Sequence, residues 1–269
     1  MLTKVFVFFC RFPPLKRMLW RNWYNFLARS YKGDDWTFMN YGYVASGETP
    51  ALALDAGDEP DRYCIQLYQF VASQAVLEGK RVLEVGSGRG GGASFVKRYL
   101  GPAEMTGVDF SANAVAFCRR RYSIRGLSFR EGAAEQLPFE DDSFDAVLNV
   151  ESSHCYASMH EFLSEVRRVL KPGGVFLYAD LRAKQDHQTL QSQLANCRMR
   201  MVAETDITAN VLSALEADHD RKSALIRRLI PKPLLASFND FAGTRGSAIY
   251  EGFRLGTFTY RTFLLEKGI

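Results

Sequence analysis

The stretch RVLEVGSGRGGG, residues 81–92, decides the fold of this chain. It is a short apolar run followed by five glycines within seven residues. Glycine lets the backbone approach a ligand closely, and the helix that follows directs its N-terminus towards that ligand. The spacing of Gly86, Gly88 and Gly91 fits the dinucleotide-binding pattern G-x-G-x-x-G, so a nicotinamide or flavin enzyme is one interpretation.

Apolar strands and amphipathic helices alternate on both sides of this loop. The pattern predicts strands over 81–85, 105–109, 127–130, 144–150 and 174–180, helices over 60–79, 91–100, 111–122 and 159–170, and a further β pattern over 257–266. Such alternation is typical of a parallel sheet with right-handed crossovers. The predicted fold class is therefore α/β, a Rossmann-like doubly wound, mostly parallel seven-stranded sheet.

The chain divides into four predicted parts. Residues 1–75 form an aromatic and basic helical arm and cap, with a helix over about 15–29. Residues 76–183 form the core that binds the ligand. Residues 184–235 show no strand signal and are expected to be a helical lid insertion, because they are too long for a plain connection. Residues 236–269 are expected to supply C-terminal strands that complete the sheet.

Basic residues are concentrated at the N-terminus. The 269-residue chain has a formal charge of +4, yet residues 1–33 hold seven Lys and Arg and no acid, so the rest is slightly acidic. The main body therefore lacks the basic face expected of a nucleic-acid-binding protein. The arm, with Trp20 and Trp23 among its cations, either meets a membrane surface or carrier protein or packs on the domain.

Cysteine usage points to a reducing compartment. The five cysteines stand far apart without a C-x-x-C pair, which argues against a disulfide framework or a zinc site, and no other feature indicates a metal. The apolar run over residues 5–9 is too short to cross a bilayer or to act as a signal peptide. A cytoplasmic protein is expected, with peripheral contact at the membrane surface if the arm has that role.

Further motifs separate the ligand classes. Glu84 stands two residues before the first glycine, where its charge disfavours a pyrophosphate, and Asp109 ends the second strand. LPFEDDSFDAVLNV (137–150) and VLKPGG (169–174) follow in order. Together these motifs resemble the class I S-adenosylmethionine-dependent methyltransferases, with their E-x-G-x-G-x-G loop, acid after the second strand, L-P-F…D-S-F-D and L-K-P-G-G.

A narrower resemblance extends over most of the chain. DEPDRYCIQLY (58–68), GGGASFVKRYL (90–100), EFLSEVRRVLKPGG (161–174) and YADLR (178–182) are similar to the mycobacterial phthiotriol/phenolphthiotriol dimycocerosates methyltransferases. Those enzymes O-methylate a hydroxyl on very lipophilic polyketide lipids. The resemblance implies that residues 76–183 bind S-adenosyl-L-methionine and that the acceptor is a lipophilic small molecule.

The resemblance also assigns cofactor-binding residues. It implies that the cofactor loop is formed by Glu84, Gly86, Gly88 and Gly90. Asp109 is then expected to hold the ribose with Phe110 beside it, and Asn149 to lie against the methionine part. The adenine is expected to be bordered by Ala133, Ala134 and Glu135. Where the family usually has G-D-A-E, this sequence has G-A-A-E over residues 132–135. Ala133 therefore replaces the aspartate that accepts a hydrogen bond from the adenine amino group in the family. Glu135 is the candidate substitute for that lost hydrogen bond.

A candidate base lies just past the fourth strand. Methyl transfer needs in-line positioning, and an alcohol acceptor also needs its proton removed. His154 has the right type of side chain for that task, and Glu151 is the candidate residue to orient it. The alternative is that His154 only caps or packs. Asp180 and Arg182 end the fifth strand and are expected to border the acceptor.

The sequence therefore predicts an S-adenosylmethionine-dependent O-methyltransferase acting on a polyketide, fatty acyl or phenolic lipid. Three alternatives remain open at this point. The first is a C-methyltransferase on a sterol-like or isoprenoid-like acceptor. The second is an NAD-dependent oxidoreductase. The third is a non-catalytic binding module that keeps the fold without turnover, and Ala133 is the only residue that points to it.

Overall fold

The computed structural model describes residue 33, residues 36–47 and residues 52–269. The predicted helix over 15–29 and most of the basic arm lie outside these described residues. Within them, no helix is both long and apolar enough to cross a membrane. The helices are α1 (Arg62–Ala72), α2 (Gly91–Tyr99), α3 (Ala112–Arg121), α4 (Met159–Val169), α5 (His187–Ala195), α6 (Thr208–Ala217), α7 (His219–Leu229), α8 (Leu235–Ala242) and α9 (Ala248–Arg254).

A seven-stranded sheet forms the centre of the molecule. Its strands are β1 (Arg81–Val85), β2 (Glu104–Asp109), β3 (Leu127–Glu131), β4 (Phe144–Val150), β5 (Leu170–Ala183), β6 (Arg200–Asp206) and β7 (Phe258–Glu266), in the order β3-β2-β1-β4-β5-β7-β6. The strands from β3 to β5 are parallel, and β7 runs antiparallel to both β5 and β6. This confirms the predicted fold class.

Strand β1 lies at the point where the strand order reverses. It pairs with β2 through Val82 and Met105 and with β4 through Val82 and Ala146. Because helices cover both faces, β1 is apolar along most of its length, and Val82 and Leu83 are fully buried. In such sheets the ligand lies beyond the carboxyl ends of the strands at this reversal, so the glycine loop stands where a ligand is expected.

The predicted lid insertion differs from the structure in one element. Residues 184–235 contain α5, α6 and α7, but also strand β6, which extends the sheet through pairs such as Thr205 with Thr262. Residues 236–269 in turn supply one strand, β7, together with most of α8 and all of α9. The expectation of a wholly helical insertion was wrong because β6 is an edge strand whose side chains are mostly exposed.

Candidate active site

The glycine loop is held in a conformation that side chains disfavour. Gly86 and Gly88 have φ angles of 75° and 52°. A Cβ atom on Gly86 would lie 2.5 Å from Ser152 Oγ, and one on Gly88 would lie 2.5 Å from Met39 Cε. The loop backbone therefore approaches its surroundings more closely than any other residue type allows.

Asp109 fixes the other side of the loop. Its Oδ2 accepts a hydrogen bond from the Gly88 N–H (2.9 Å), and its Oδ1 accepts one from the Ser111 N–H (2.9 Å). Burial raises the pKa of Asp109, and these two hydrogen bonds partly offset the effect. The carboxylate borders the cavity described below, and each oxygen keeps lone pairs for further donors such as ribose hydroxyls.

Residues 36–47, here called the strap, cross the open side of the loop. Arg89 connects the two, because its Nε donates to the Trp36 carbonyl (2.5 Å) and its Nη2 donates to the Gly33 carbonyl (2.7 Å). The guanidinium also stacks on Phe117, with 3.7 Å from Cζ to the ring centroid. The strap residues Thr37, Phe38, Met39, Asn40 and Tyr41 consequently line the cavity from above the loop.

A single cavity of about 820 Å³ runs from the glycine loop into an apolar region. We call this region the acceptor compartment and define it by Leu181, Leu190, Leu234, Phe241, Ile249 and Phe258. Helix α5 turns one face towards the cavity, since Thr189, Leu190 and Gln193 recur at helical spacing, and α8 does the same through Ser237, Asp240 and Phe241. The cavity therefore joins a polar, glycine-lined end to a mainly apolar one.

His154 lines the cavity, and Asp180 orients it. The His154 Nδ1 is 2.8 Å from Asp180 Oδ1, and the His154 backbone N–H donates to Asp180 Oδ2 (2.9 Å). The Arg182 guanidinium contacts the same carboxylate, with 2.9 Å from Nη1 to Oδ2. Ser153 Oγ completes the cluster by donating to Asp180 Oδ2 (2.6 Å).

The contacts within this cluster shift the pKa values of both His154 and Asp180. Burial disfavours the charged imidazole ring, but the Cys155 sulfur and the Asp180 carboxylate beside it outweigh that cost and raise the pKa of His154 to about 10. Burial also disfavours the charged form of Asp180. Arg182 and His154 prevail over it, and the pKa of Asp180 lies well below its usual range. The pairing therefore favours the imidazolium form of His154 and the carboxylate form of Asp180.

Glu151 has a different partner from the predicted one. Its Oε2 accepts from the Tyr41 backbone N–H (3.0 Å) and from the Tyr260 hydroxyl (3.1 Å), so it connects the strap to β7 instead of orienting His154. Its φ of 51° is one of three positive values at non-glycine residues in the described part of the chain. Burial raises the pKa of Glu151 to about 8, against the opposing effects of the Tyr41 N–H and His154.

The predicted residues divide into two groups by position. The cavity wall contains Gly86, Gly88, Asp109, Phe110, Glu151 and His154. The other predicted residues do not line the cavity, and their contacts with a cofactor stay predictions: Glu84, Gly90, Ala133, Ala134, Glu135 and Asn149. Glu135 Oε1 already accepts from the Ala157 N–H (2.8 Å), and the Asn149 amide donates to the Val85 carbonyl (2.9 Å).

Sequence reasoning missed several participants. Tyr68 on α1 lines the cavity and donates to Glu84 Oε1 (2.6 Å). Arg89 was passed over although it stands inside the glycine loop, and that position is the signal that would have identified it. Among the strap aromatics, Phe38 and Tyr41 line the cavity, whereas Tyr43 stacks on Phe70 with ring centroids 4.5 Å apart.

The comparisons with known proteins agree with this geometry. Residues 83–178 match a family model described as a methyltransferase domain. A fatty-acid O-methyltransferase of Mycolicibacterium smegmatis is 43% identical over 91% of this chain and 88% of its own length. The phthiotriol/phenolphthiotriol dimycocerosates methyltransferase of Mycobacterium tuberculosis is 40% identical, with 93% of each chain covered.

Solved structures share the fold at lower identity. Geranyl diphosphate C-methyltransferase from Streptomyces coelicolor, in complex with S-adenosyl-L-homocysteine, superposes with a TM-score of 0.65 at 18% identity, covering 94% of this chain and 97% of that chain. The [4+2]-cyclase SpnF superposes with a TM-score of 0.66 at 21% identity, covering 93% and 95%. At this identity the likeness concerns the fold alone.

The fold and site together define a class I methyltransferase. This chain belongs to the S-adenosylmethionine-dependent methyltransferases, and its cofactor is S-adenosyl-L-methionine. The interpretation of the glycine loop as a nicotinamide site is therefore replaced. The residues present fit that cofactor. Among the described residues, the buried Ser87 Oγ and Asn40 Oδ1 have no hydrogen-bond partner, and both belong to residues that line the cavity at the loop and the strap.

Proposed function

We propose that this enzyme methylates an oxygen atom of a lipophilic small molecule, such as a polyketide, a fatty acyl compound or a phenolic lipid. The observation that carries the proposal is the single cavity, in which the glycine loop and Asp109 open directly into the apolar acceptor compartment. The names of two relatives support it, since one acts on a fatty acid and the other on phthiotriol/phenolphthiotriol dimycocerosates.

The residues of this chain contribute mainly by positioning. The bound cofactor supplies a methyl group attached to a positively charged sulfur. Asp109, Gly86 and Gly88 would hold it at the loop, and Phe38 and Met39 of the strap would keep water away from it. His154 lines the same cavity and would contact the polar end of the acceptor.

Labelled cofactor offers a direct test of this proposal. The purified protein is incubated with methyl-labelled S-adenosylmethionine and a total lipid extract, and labelled lipids are then treated with base and with ether-cleaving reagents. We expect lipid-soluble label that one of the two treatments releases, because an ester or an ether carries it. Label that survives both treatments would establish C-methylation instead, and absence of labelled lipid would contradict the proposal.

A further inference from the structure

An exposed cluster of arginines lies at one edge of the sheet, where α3 ends and the edge strand β3 follows. We call it the arginine patch and define it by the exposed residues Arg119, Arg120, Arg121, Arg125 and Arg130. The sequence holds these five arginines and no acid between Asp109 and Glu131, so the stretch carries a local charge of +5. The main body thus has a basic face that its total charge does not reveal.

Local contacts hold the arginines of the patch, but no ion pair neutralises them. Arg119 Nε donates to the Phe129 carbonyl (2.9 Å), and Arg120 Cζ lies 5.6 Å from the Phe117 ring centroid. None of the five arginines forms an ion pair with a residue that the structure describes. The three arginines in the last turn of α3 also stabilise that helix end, but the other two lie beyond it.

Acids beside the patch are already bound to other cations. The charge of Arg121 acts on Asp58, but the Asp58 carboxylate is 2.6 Å from Arg98 Nη1. Glu104, at the start of β2, is 2.8 Å from Arg81 Nε. The positive charge of the patch therefore remains available to a partner that carries negative charge.

The patch lies beside the point at which the basic N-terminal sequence joins the described structure. Arg89 Nη2 donates to the Gly33 carbonyl (2.7 Å), and the Arg89 guanidinium stacks on Phe117, the ring that Arg120 also contacts. Residues 1–33 hold seven Lys and Arg, two tryptophans and no acid. A second basic segment of the sequence is thus attached next to the patch.

We propose that the arginine patch docks the enzyme on a membrane surface that carries anionic lipid headgroups. Guanidinium groups match the geometry of phosphate, and clusters of basic residues are attracted to anionic leaflets. The tryptophans of the adjoining sequence suit the same partner, because indole rings favour the membrane interface. Docking would place the enzyme where lipophilic acceptors reside, but the inference does not depend on the proposed function.

The patch fits a membrane better than a nucleic acid. Proteins that bind single-stranded nucleic acids use exposed rings on which the bases stack. Phe117 and Phe129 are buried, and Tyr122 is half-buried and stacks on Phe129 with ring centroids 5.7 Å apart, so these rings offer no such face. An acidic carrier protein also matches the charge of the patch, and a binding experiment separates it from a membrane.

Sedimentation with lipid vesicles measures the role of the patch. The full chain is mixed, without acceptor or cofactor, with vesicles of phosphatidylcholine alone or with about one phosphatidylglycerol in three lipids. We expect binding only to the anionic vesicles, with an affinity that falls as salt is raised from about 0.1 to 0.5 M. The variant Arg120→Gln/Arg121→Gln/Arg125→Gln is expected to bind about a hundredfold more weakly.

Two control variants separate the patch from net charge and from side-chain loss. Lys80→Gln/Lys184→Gln/Lys232→Gln removes the same charge from exposed lysines elsewhere on the surface, and its affinity is expected to change less than about threefold. Replacing the same three arginines by lysine keeps the charge, so that variant is expected to bind nearly as the wild type does. Thermal unfolding monitors the fold of each variant.

Each outcome bears on the patch and not on lipid methylation, because no acceptor is present. Equal binding to both kinds of vesicle, or unchanged binding of the triple glutamine variant, would overturn the proposal. Binding to an acidic acyl-carrier protein but to neither vesicle would also overturn it and assign the patch to a protein partner. If the triple glutamine variant does not fold, Arg125→Gln/Arg130→Gln leaves α3 intact and is expected to bind about thirtyfold more weakly.

Discussion

At the scale of single residues, Glu84 shows how burial changes the chemistry of a motif. Its side chain is fully buried and accepts a hydrogen bond from Tyr68, and burial raises its pKa to about 8. The folded protein therefore keeps a proton on Glu84 at pH values where the unfolded chain, with a pKa near 4.5, has lost it. Stability consequently falls as the pH rises from about 4.5 to 8.

Replacing Glu84 by glutamine is expected to reduce this pH dependence. The neutral amide has no proton to lose, so the decrease in unfolding free energy between pH 6 and pH 9 should shrink by about 3 kcal/mol. Urea unfolding of the cofactor-free protein at both pH values measures the difference in unfolding free energy. The control is Glu131→Gln, because Glu131 is exposed. An unchanged decrease in Glu84→Gln would show that Glu84 is ionised in the fold at neutral pH.

At the residue level, the sequence predicts the position of a backbone segment better than the direction of its side chains. Gly86, Gly88 and Asp109 were expected at the loop, because a strand end followed by glycines fixes where a loop must lie, and all three line the cavity. The Glu135 carboxylate accepts from the Ala157 N–H and the Asn149 amide donates to the Val85 carbonyl, and neither contact could be read from the sequence. The sequence gives no direction for such side chains, because the partner is chosen by tertiary packing.

The partner of His154 illustrates the same limit. Glu151 was expected to orient the ring because it is three residues away in the chain. Asp180, 26 residues away, does so because β4 and β5 are neighbouring parallel strands and their carboxyl ends meet at one edge of the sheet. The pairing of β4 with β5 thus decides which carboxylate contacts the His154 ring, and the distance along the chain does not.

At the scale of elements, the strap depends on Arg89. Polar contacts hold the strap at two places. Arg89 donates to the Trp36 carbonyl, and also to the carbonyl of Gly33, which precedes the strap. Tyr41 is held by Glu151 and by the Lys222 ammonium, 3.2 Å from the Tyr41 carbonyl. This segment and the glycine loop line the same cavity. A cofactor held at the loop would therefore be covered by the strap, and we expect its release to require the strap to move.

Arg89→Gln is expected to weaken cofactor retention more than stability. We expect S-adenosylhomocysteine to dissociate about tenfold faster, because the strap loses the contact from a charged donor to the Trp36 carbonyl, and Gly33 just before it loses a second one. Stopped-flow displacement measures the rate, and thermal unfolding monitors the fold. The control is Arg119→Gln, since Arg119 is an exposed α3 residue that donates to the Phe129 carbonyl. Equal dissociation rates in the wild type and Arg89→Gln would contradict this role of the strap.

Strand β6 shows why one element was not predicted. The sequence RMVAETD, 200–206, follows a helix and has no clear apolar alternation, and most of its residues are exposed. It becomes a strand by pairing with β7, more than fifty residues later in the chain, through Ala203 with Leu264 and Asp206 with Arg261. Local propensity cannot supply that information.

At the scale of the whole molecule, the order of the motifs along the chain predicted the sheet and the cofactor end of the site. The acceptor end was not predictable in the same way, because its wall is assembled from six separate elements, which supply Leu181, Leu190, Leu234, Phe241, Ile249 and Phe258. No periodic pattern connects such residues. The substrate class therefore has to be argued from the assembled cavity.

The central claim is that the glycine loop and Asp109 form the cofactor end of one cavity. Calorimetric titration with S-adenosylhomocysteine tests it most directly, on the wild type, Asp109→Ala, Asp109→Asn and the exposed control Asp220→Ala. We expect micromolar binding in the wild type and control and a loss of at least tenfold in both Asp109 variants, about 1.4 kcal/mol or more. Absence of binding in the wild type, or full affinity in folded Asp109 variants, would contradict the account.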